Sequence, residues 1–172
     1  MPLSMYRLTI PLFVRGLGVL RDYIDHAERF EKENGLAPDT LAAARLAPDM
    51  LPFAGQVQRA SDTSKNAIGR LTDVVPPRFA DDETSLDELR QRIDATVAFF
   101  ESIDAGALAE AGQERVSLNF GKVKPTFDGV EYLLTFVLPN FYFHLATAHA
   151  ILRNQGVTVG KADYLGSFDQ YE

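Results

Sequence analysis

The chain contains no cysteine, and it lacks any basic cluster. Without cysteine, disulfides, thiolate nucleophiles and cysteine-based zinc sites are excluded, and the composition fits a reducing cytoplasm. The formal net charge is −7. A nucleic-acid partner is therefore not expected, because duplex binding requires Lys and Arg side chains that neutralise phosphates. The same Coulomb argument disfavours an anionic membrane surface.

Long apolar runs are also missing. No segment approaches the roughly 20 apolar residues that span a bilayer, because charged residues interrupt every candidate. Near the amino terminus, Arg7 and Arg15 bracket a short apolar run that Pro11 interrupts, which argues against a signal peptide. We therefore expect a cytoplasmic protein, with its 172 residues forming one domain over 1–172.

Four long segments place apolar residues at helical spacing. The first covers Tyr6–Asn34, where Pro11 either kinks the helix or marks its start. The second covers Asp49–Leu71, where small residues in the apolar stripe allow close helix packing or leave room for a ligand. The third opens on the capping-box sequence Ser85–Glu88, and the fourth covers Val130–Asn154. The sequence therefore predicts an all-α protein built as a four-helix bundle.

Before the last helix the pattern changes to alternation. Val116, Leu118 and Phe120 alternate with polar neighbours, and Gly121 lies where the chain would turn back. We predict a small β-hairpin between residues 115 and 128. Because an isolated two-stranded hairpin is marginal in water, we expect it to pack against the bundle. On the last helix, Pro139 predicts a bend.

Three polar residues interrupt the apolar stripe of the last helix: Asn140, His144 and Thr147. They occupy positions where a bundle normally places Leu or Ile, and burying each without a partner would cost about 1–3 kcal/mol. Asp49 lies one turn before the apolar stripe of the second helix. We predict that Asp49, Asn140 and His144 converge near one end of the bundle, and that with Thr147 they form a ligand-binding site.

Each of these residues also has a purely structural explanation. Asp49 is well placed as the N-cap of the second helix, and His144 as a hydrogen-bonded core histidine. Asn140 follows Pro139 and could satisfy a carbonyl that the kink frees. His149 stands five positions after His144, so the two rings point about 140° apart and cannot bind one ion.

Several segments together resemble a known family. They are ARLAPDMLPFAGQVQ (Ala44–Gln58), EYLLTFVLPNFYFHLATAHAILRNQGV (Glu131–Val157) and GKADYLG (Gly160–Gly166). These strings are similar to those of an uncharacterised bacterial and fungal family within the DinB/YfiT-like superfamily of metal-dependent enzymes. The resemblance covers essentially the whole chain. It implies an up-down-down-up four-helix bundle of the DinB-like type, often assembled as a homodimer.

The resemblance also implies a metal site. Many superfamily members bind a divalent metal through three histidines, one on the second helix and two spaced four apart on the last. Counted back from Gly156, His144 takes the place of the final ligand and Asn140 that of its partner, while Asp49 is the nearest candidate on the second helix. An amide oxygen is a poor ligand for zinc or nickel. We therefore expect no metal cofactor. A weakly held divalent ion on His144 and Asp49 is the alternative.

Two functions are consistent with these residues. The first is a homodimeric bundle with a degenerate site that binds a small ligand or a partner without catalysis. Its support is an aromatic-rich last helix, typical of a large core or an interface: Phe136, Phe141, Tyr142 and Phe143. The second is a metal-dependent or histidine-based enzyme, similar to a thiol transferase or a hydrolase. There His144 would be the general base or the sole imidazole ligand, Asp49 would orient it or be a second ligand, and Asn140 would polarise a carbonyl. Proton transfer by His144 then requires a pKa near neutrality.

Overall fold

The structure of the chain is a computed structural model, and it describes residues 4–166. Its helices are α1 (Ile10–Glu33), α2 (Phe53–Leu71), α3 (Leu86–Glu101), α4 (Gly129–Glu131), α5 (Leu138–Asn154) and α6 (Lys161–Leu165). A π-helical segment, Tyr132–Val137, joins α4 to α5, and 3-10 turns occur at Leu41–Ala43 and Ala105–Leu108. The prediction of a mainly helical fold is confirmed. None of the helices within residues 4–166 is long and apolar enough to cross a membrane.

α1 has the limits that its local signals predict. It begins at Ile10 with Pro11 in the first turn, where the missing N–H of proline removes no helical hydrogen bond. It ends at Glu33, and Gly35 then adopts a φ of 64°, the left-handed conformation that commonly follows a helix. Pro11 thus marks the start of the helix, and the predicted end is confirmed.

α2 begins later than predicted. Its first residue is Phe53 and its N-cap is Pro52, while Asp49 lies exposed in the preceding turn. A residue that precedes proline is disfavoured in the α conformation, so the helix does not extend back through Leu51. The predicted start at Asp49, and its role as the N-cap, are therefore wrong.

α3 begins at the predicted capping box. The hydroxyl of Ser85 accepts a hydrogen bond from the Glu88 amide at 3.1 Å, and the Glu88 carboxylate accepts one from the Ser85 amide at 3.0 Å. Each bond satisfies a backbone donor that the start of a helix leaves without a partner.

The predicted hairpin is confirmed. Strands β1 (Arg115–Ser117) and β2 (Thr126–Asp128) are antiparallel, with Val116 opposite Phe127. Gly121, in the connection between the strands, has a φ of 77°.

The last long helix changes its backbone hydrogen bonding just before Pro139. Residues Tyr132–Val137 are π-helical, and Pro139 falls in the first turn of α5. Proline has no N–H and its ring crowds the carbonyl four residues earlier, which here belongs to Thr135 inside the π-helical segment. The local change in hydrogen bonding accommodates that crowding.

One core joins the long helices. α2 packs against α5 on one side and α3 on the other, and α1 contacts the same two helices. Small residues on α2 are fully buried and permit close approach: Ala60, Ser64 and Ala67. Between α1 and α5, Phe13 packs edge-on against Phe141 at 5.2 Å. α2 therefore presents side chains to two neighbouring helices at once.

Candidate functional site

His144 is held by a hydrogen bond from α5 to α2. The residue is 9% exposed, and its Nδ1 lies 2.8 Å from Oε1 of Gln56. Nε2 of Gln56 donates to the Leu51 carbonyl at 3.0 Å. A carbonyl only accepts, so the NH₂ group of Gln56 faces Leu51 and its oxygen faces the imidazole. Nδ1 of His144 therefore carries the proton, and the lone pair of the neutral ring is on Nε2.

Nε2 of His144 is left open. Within residues 4–166 no protein group hydrogen-bonds to it, and it is not among the polar atoms sealed from solvent. The imidazole is thus oriented through one nitrogen and presents the other as an acceptor. The hydrogen bond made by one ring nitrogen determines whether the other nitrogen donates or accepts.

The environment keeps His144 uncharged. Burial, with a smaller contribution from the positive charge of Arg59, lowers the pKa of His144 from 6.5 to about 4. A general base works best when its pKa lies near the working pH, so this ring is a good acceptor but a weak base. The expectation of a near-neutral pKa beside a carboxylate is wrong, because His144 has Gln56 and Arg59 beside it instead.

Asn140 and Thr147 take different positions. Nδ2 of Asn140 donates to the hydroxyl of Thr63 on α2 at 3.0 Å, so Asn140 and His144 both face α2. The hydroxyl of Thr147 donates to the Phe143 carbonyl within its own helix at 2.7 Å. The polar groups of the α2–α5 seam are thus Gln56 and Thr63 opposite His144 and Asn140.

Asp49 takes no part in the hydrogen bonds of this seam within the described chain. Asp49 is exposed in the turn before α2, and no hydrogen bond or ion pair within the described chain joins it to His144 or Asn140. Because α2 begins four residues later than predicted, Asp49 does not extend its core stripe. The predicted convergence of Asp49 with the other two residues stays a prediction, and the α2 residues that bond to His144 and Asn140 are Gln56 and Thr63.

The sequence analysis does not identify Gln56 and Thr63, although their spacing is a usable signal. They are seven residues apart and share a helical face with the buried Ala60 and Ala67. Two polar residues on this stripe of small residues could have been recognised as partners for the two polar residues on α5, Asn140 and His144.

A second polar cluster lies on the other side of α2, against α3. The Arg92 side chain is only 1% exposed, and its guanidinium nitrogens lie 2.7 Å from Asp62, 2.7 Å from Asp81 and 2.8 Å from Glu83. The centroid of the Phe79 ring lies 4.6 Å from the guanidinium carbon of Arg92. A buried cation so surrounded fixes the segment between α2 and α3 to both helices.

Two more cations complete this Arg92 cluster. Nζ of Lys65 lies 3.0 Å from Asp62, and Arg59 lies 3.3 Å from Asp62 and 3.1 Å from Asp81. The cluster therefore comprises three cations and three carboxylates: Arg59, Lys65 and Arg92 with Asp62, Asp81 and Glu83. Burial alone would raise the pKa of Asp81, but the neighbouring arginines lower it below its ordinary 3.8.

The α2–α5 seam does not fit a divalent metal. Among residues 4–166 no group of three or more His, Asp or Glu side chains is placed to hold an ion. Where the resemblance implies imidazole ligands, α2 offers Gln56, whose oxygen is engaged by His144, and Thr63. Arg59 adds a positive charge that repels a dication. The donor set is poor for the metals that favour imidazole.

Comparison with known proteins identifies relatives of this chain. The chain matches the model described as Domain of unknown function (DUF1993) over residues 5–165. It is 37% identical to a DinB family member protein from Shewanella denitrificans of known crystal structure, with a TM-score of 0.90, over 96% of this chain and 93% of that chain. No curated protein matches it. The chain therefore belongs to the DUF1993 family of domains of unknown function, with a DinB-like fold.

Proposed function

We propose that the α2–α5 seam binds a small molecule that donates a hydrogen bond to Nε2 of His144, and that it does so without catalysis. The observation that carries this proposal is the Leu51–Gln56–His144 chain of hydrogen bonds, which orients a neutral ring with one acceptor left open. An apolar residue would fill the same space without burying a polar ring.

The low basicity of His144 favours binding over chemistry. A pKa of about 4 leaves the ring neutral at physiological pH, so it accepts a hydrogen bond without removing the proton. The donor set of the seam supports the same choice over metal-dependent catalysis, since it offers one imidazole nitrogen and neutral oxygens beside a cation.

Two residues next to this hydrogen-bond chain carry exposed apolar side chains. Phe143 is 56% exposed and packs edge-on against the His144 ring at 5.4 Å between centroids. Leu51, whose carbonyl holds Gln56, is 45% exposed. Ligand sites typically combine an apolar wall with a few oriented polar groups, so we expect a ligand with an apolar portion.

Two isomeric probes test the proposal. Butan-1-ol donates a hydrogen bond, whereas diethyl ether of the same formula only accepts. In protein with ¹⁵N-labelled histidine, butan-1-ol should shift the His144 Nε2 resonance saturably, and diethyl ether should not. His149, whose Nδ1 lies 2.7 Å from the Tyr23 hydroxyl, serves as the internal control. Equal responses to both probes, or none to either, would contradict the proposal.

The proposal includes a homodimer and the up-down-down-up order of the long helices. Several apolar side chains on the hairpin and in the π-helical segment are exposed, and they support an interface: Phe120, Val123 and Leu134. Contacts between residue pairs support the helix order: Phe13–Phe141 with Tyr23–His149, and Gln56–His144 with Thr63–Asn140. In the first two pairs the residue numbers rise together along α1 and α5, as they do in parallel helices. In the second two pairs the α5 number falls as the α2 number rises, as in antiparallel helices. Light scattering on the protein as it elutes from a size-exclusion column measures its mass and so its oligomeric state.

A further inference from the structure

We infer that Arg59 is the anion-binding arm of the His144 site, and that its ligand is a small hydroxycarboxylate whose hydroxyl donates to Nε2 while its carboxylate pairs with Arg59. The inference rests on the proposed ligand site and specifies the chemical class that this site would accept.

Arg59 is placed between the two polar regions of α2. It comes three residues after Gln56 and four before Thr63, the two α2 residues that contact His144 and Asn140. Residues at these spacings are neighbours on a helix surface. The Arg59 side chain is 45% exposed and its positive charge acts on the His144 ring, while its guanidinium pairs with Asp62 and Asp81 in this structure.

The present partners of Arg59 do not depend on it. Asp62 keeps Arg92 at 2.7 Å and Lys65 at 3.0 Å, and Asp81 keeps Arg92 at 2.7 Å. The contacts of Arg59 itself are longer, at 3.3 and 3.1 Å. Because Arg59 is the exposed member of each pair and both carboxylates keep other cations, Arg59 can exchange one of these contacts for a ligand at small cost. Its planar fork then suits a carboxylate bidentately.

The charges at the seam select the two ligand groups together. A positive ligand is repelled by Arg59, and a bare carboxylate would direct its lone pairs at the lone pair of Nε2. A hydroxyl removes that second conflict because it donates to the nitrogen. A molecule with an anionic end and a hydroxyl donor satisfies both protein groups, and the difference between matched and mismatched groups provides specificity.

The test uses the intact chain and matched probes. Glycolate, 3-hydroxypropionate and 4-hydroxybutyrate are each compared with their uncharged amides and with acetate, propionate and butyrate, which lack the hydroxyl. Binding is followed through the ¹⁵N resonances of His144 and Arg59. We expect at least one hydroxycarboxylate to bind about tenfold more tightly than its amide and than its parent acid.

Arg59→Gln should abolish the preference for acid over amide. The matched control is Arg21→Gln, which removes an exposed arginine paired with Asp94 on the α1–α3 face and should change nothing. Circular dichroism verifies that both variants fold. Equal binding of acid and amide, or a preference that persists in Arg59→Gln, overturns the inference and leaves the His144 site standing. No saturable response to any hydroxylated probe, charged or neutral, overturns both.

Discussion

Replacing Arg92 with methionine should destabilise the protein strongly. The substitution keeps an extended side chain against Phe79 but removes the cation that contacts Asp62, Asp81 and Glu83. Removing one member of a buried ion pair typically costs about 3–5 kcal/mol, because its partners are left uncompensated. Asp62 and Asp81 retain other cations, so we expect the lower end of that range, about 3 kcal/mol. For a chain of this size the melting temperature should fall by about 6–12 °C.

Urea unfolding followed by far-UV circular dichroism measures this change directly. The control is Arg21→Met, which breaks an exposed pair with Asp94 and should cost less than about 1 kcal/mol. Arg92→Lys should fall between the two, because it keeps the charge and loses the fork. A loss below about 1 kcal/mol in Arg92→Met would refute the claim that the Arg92 cluster anchors the segment between α2 and α3.

Four further predictions follow from individual contacts. Gln56→Leu should cost about 1–3 kcal/mol in urea unfolding, because Nδ1 of His144 loses its acceptor. The lowered pKa of His144 means that the unfolded chain binds a proton before the folded one does. Stability from this residue should therefore be complete above pH 6.5 and lost as pH falls towards about 4, and His144→Phe should remove that part of the pH dependence. The pKa of Asp81 is also lowered, so its contribution should be present above its ordinary 3.8 and lost below it, less steeply in Arg92→Met. Gly129→Ala should destabilise by at least about 3 kcal/mol, since a Cβ there would lie 1.8 Å from the Ala111 carbonyl oxygen; Gly18→Ala, in open space on α1, should stabilise by about 0.5–1 kcal/mol.

Local signals were enough to predict most helix limits. Pro11, Gly35 and the Ser85–Glu88 capping box act within a few residues of themselves, so the sequence carries their effect directly. The start of α2 was misplaced because the effect of Pro52 on the residue before it outweighs the apolar stripe. The π-helical segment was missed because a local shift in backbone hydrogen bonding leaves the spacing of apolar residues nearly unchanged.

Only the α5 side of the His144 site could be predicted from the sequence. Asn140 and His144 were identified because polar residues in an apolar stripe need partners, and that requirement is visible in the sequence. The identity of the partners depends on how α2 and α5 are placed, which no local pattern specifies. The Arg92 cluster was missed for a related reason: charged residues usually lie at the surface, and Asp81 and Glu83 come from a segment without periodicity.

The proposed ligand site depends on the protonation state of His144. We predict a neutral ring with its proton on Nδ1, donated to Gln56, and an imidazole pKa of about 4. Long-range ¹H–¹⁵N spectra of labelled histidine, recorded across a pH titration, report both quantities for this residue. A proton on Nε2 at neutral pH, or a His144 pKa at or above 6.5, would mean that the open acceptor of the proposed site does not exist.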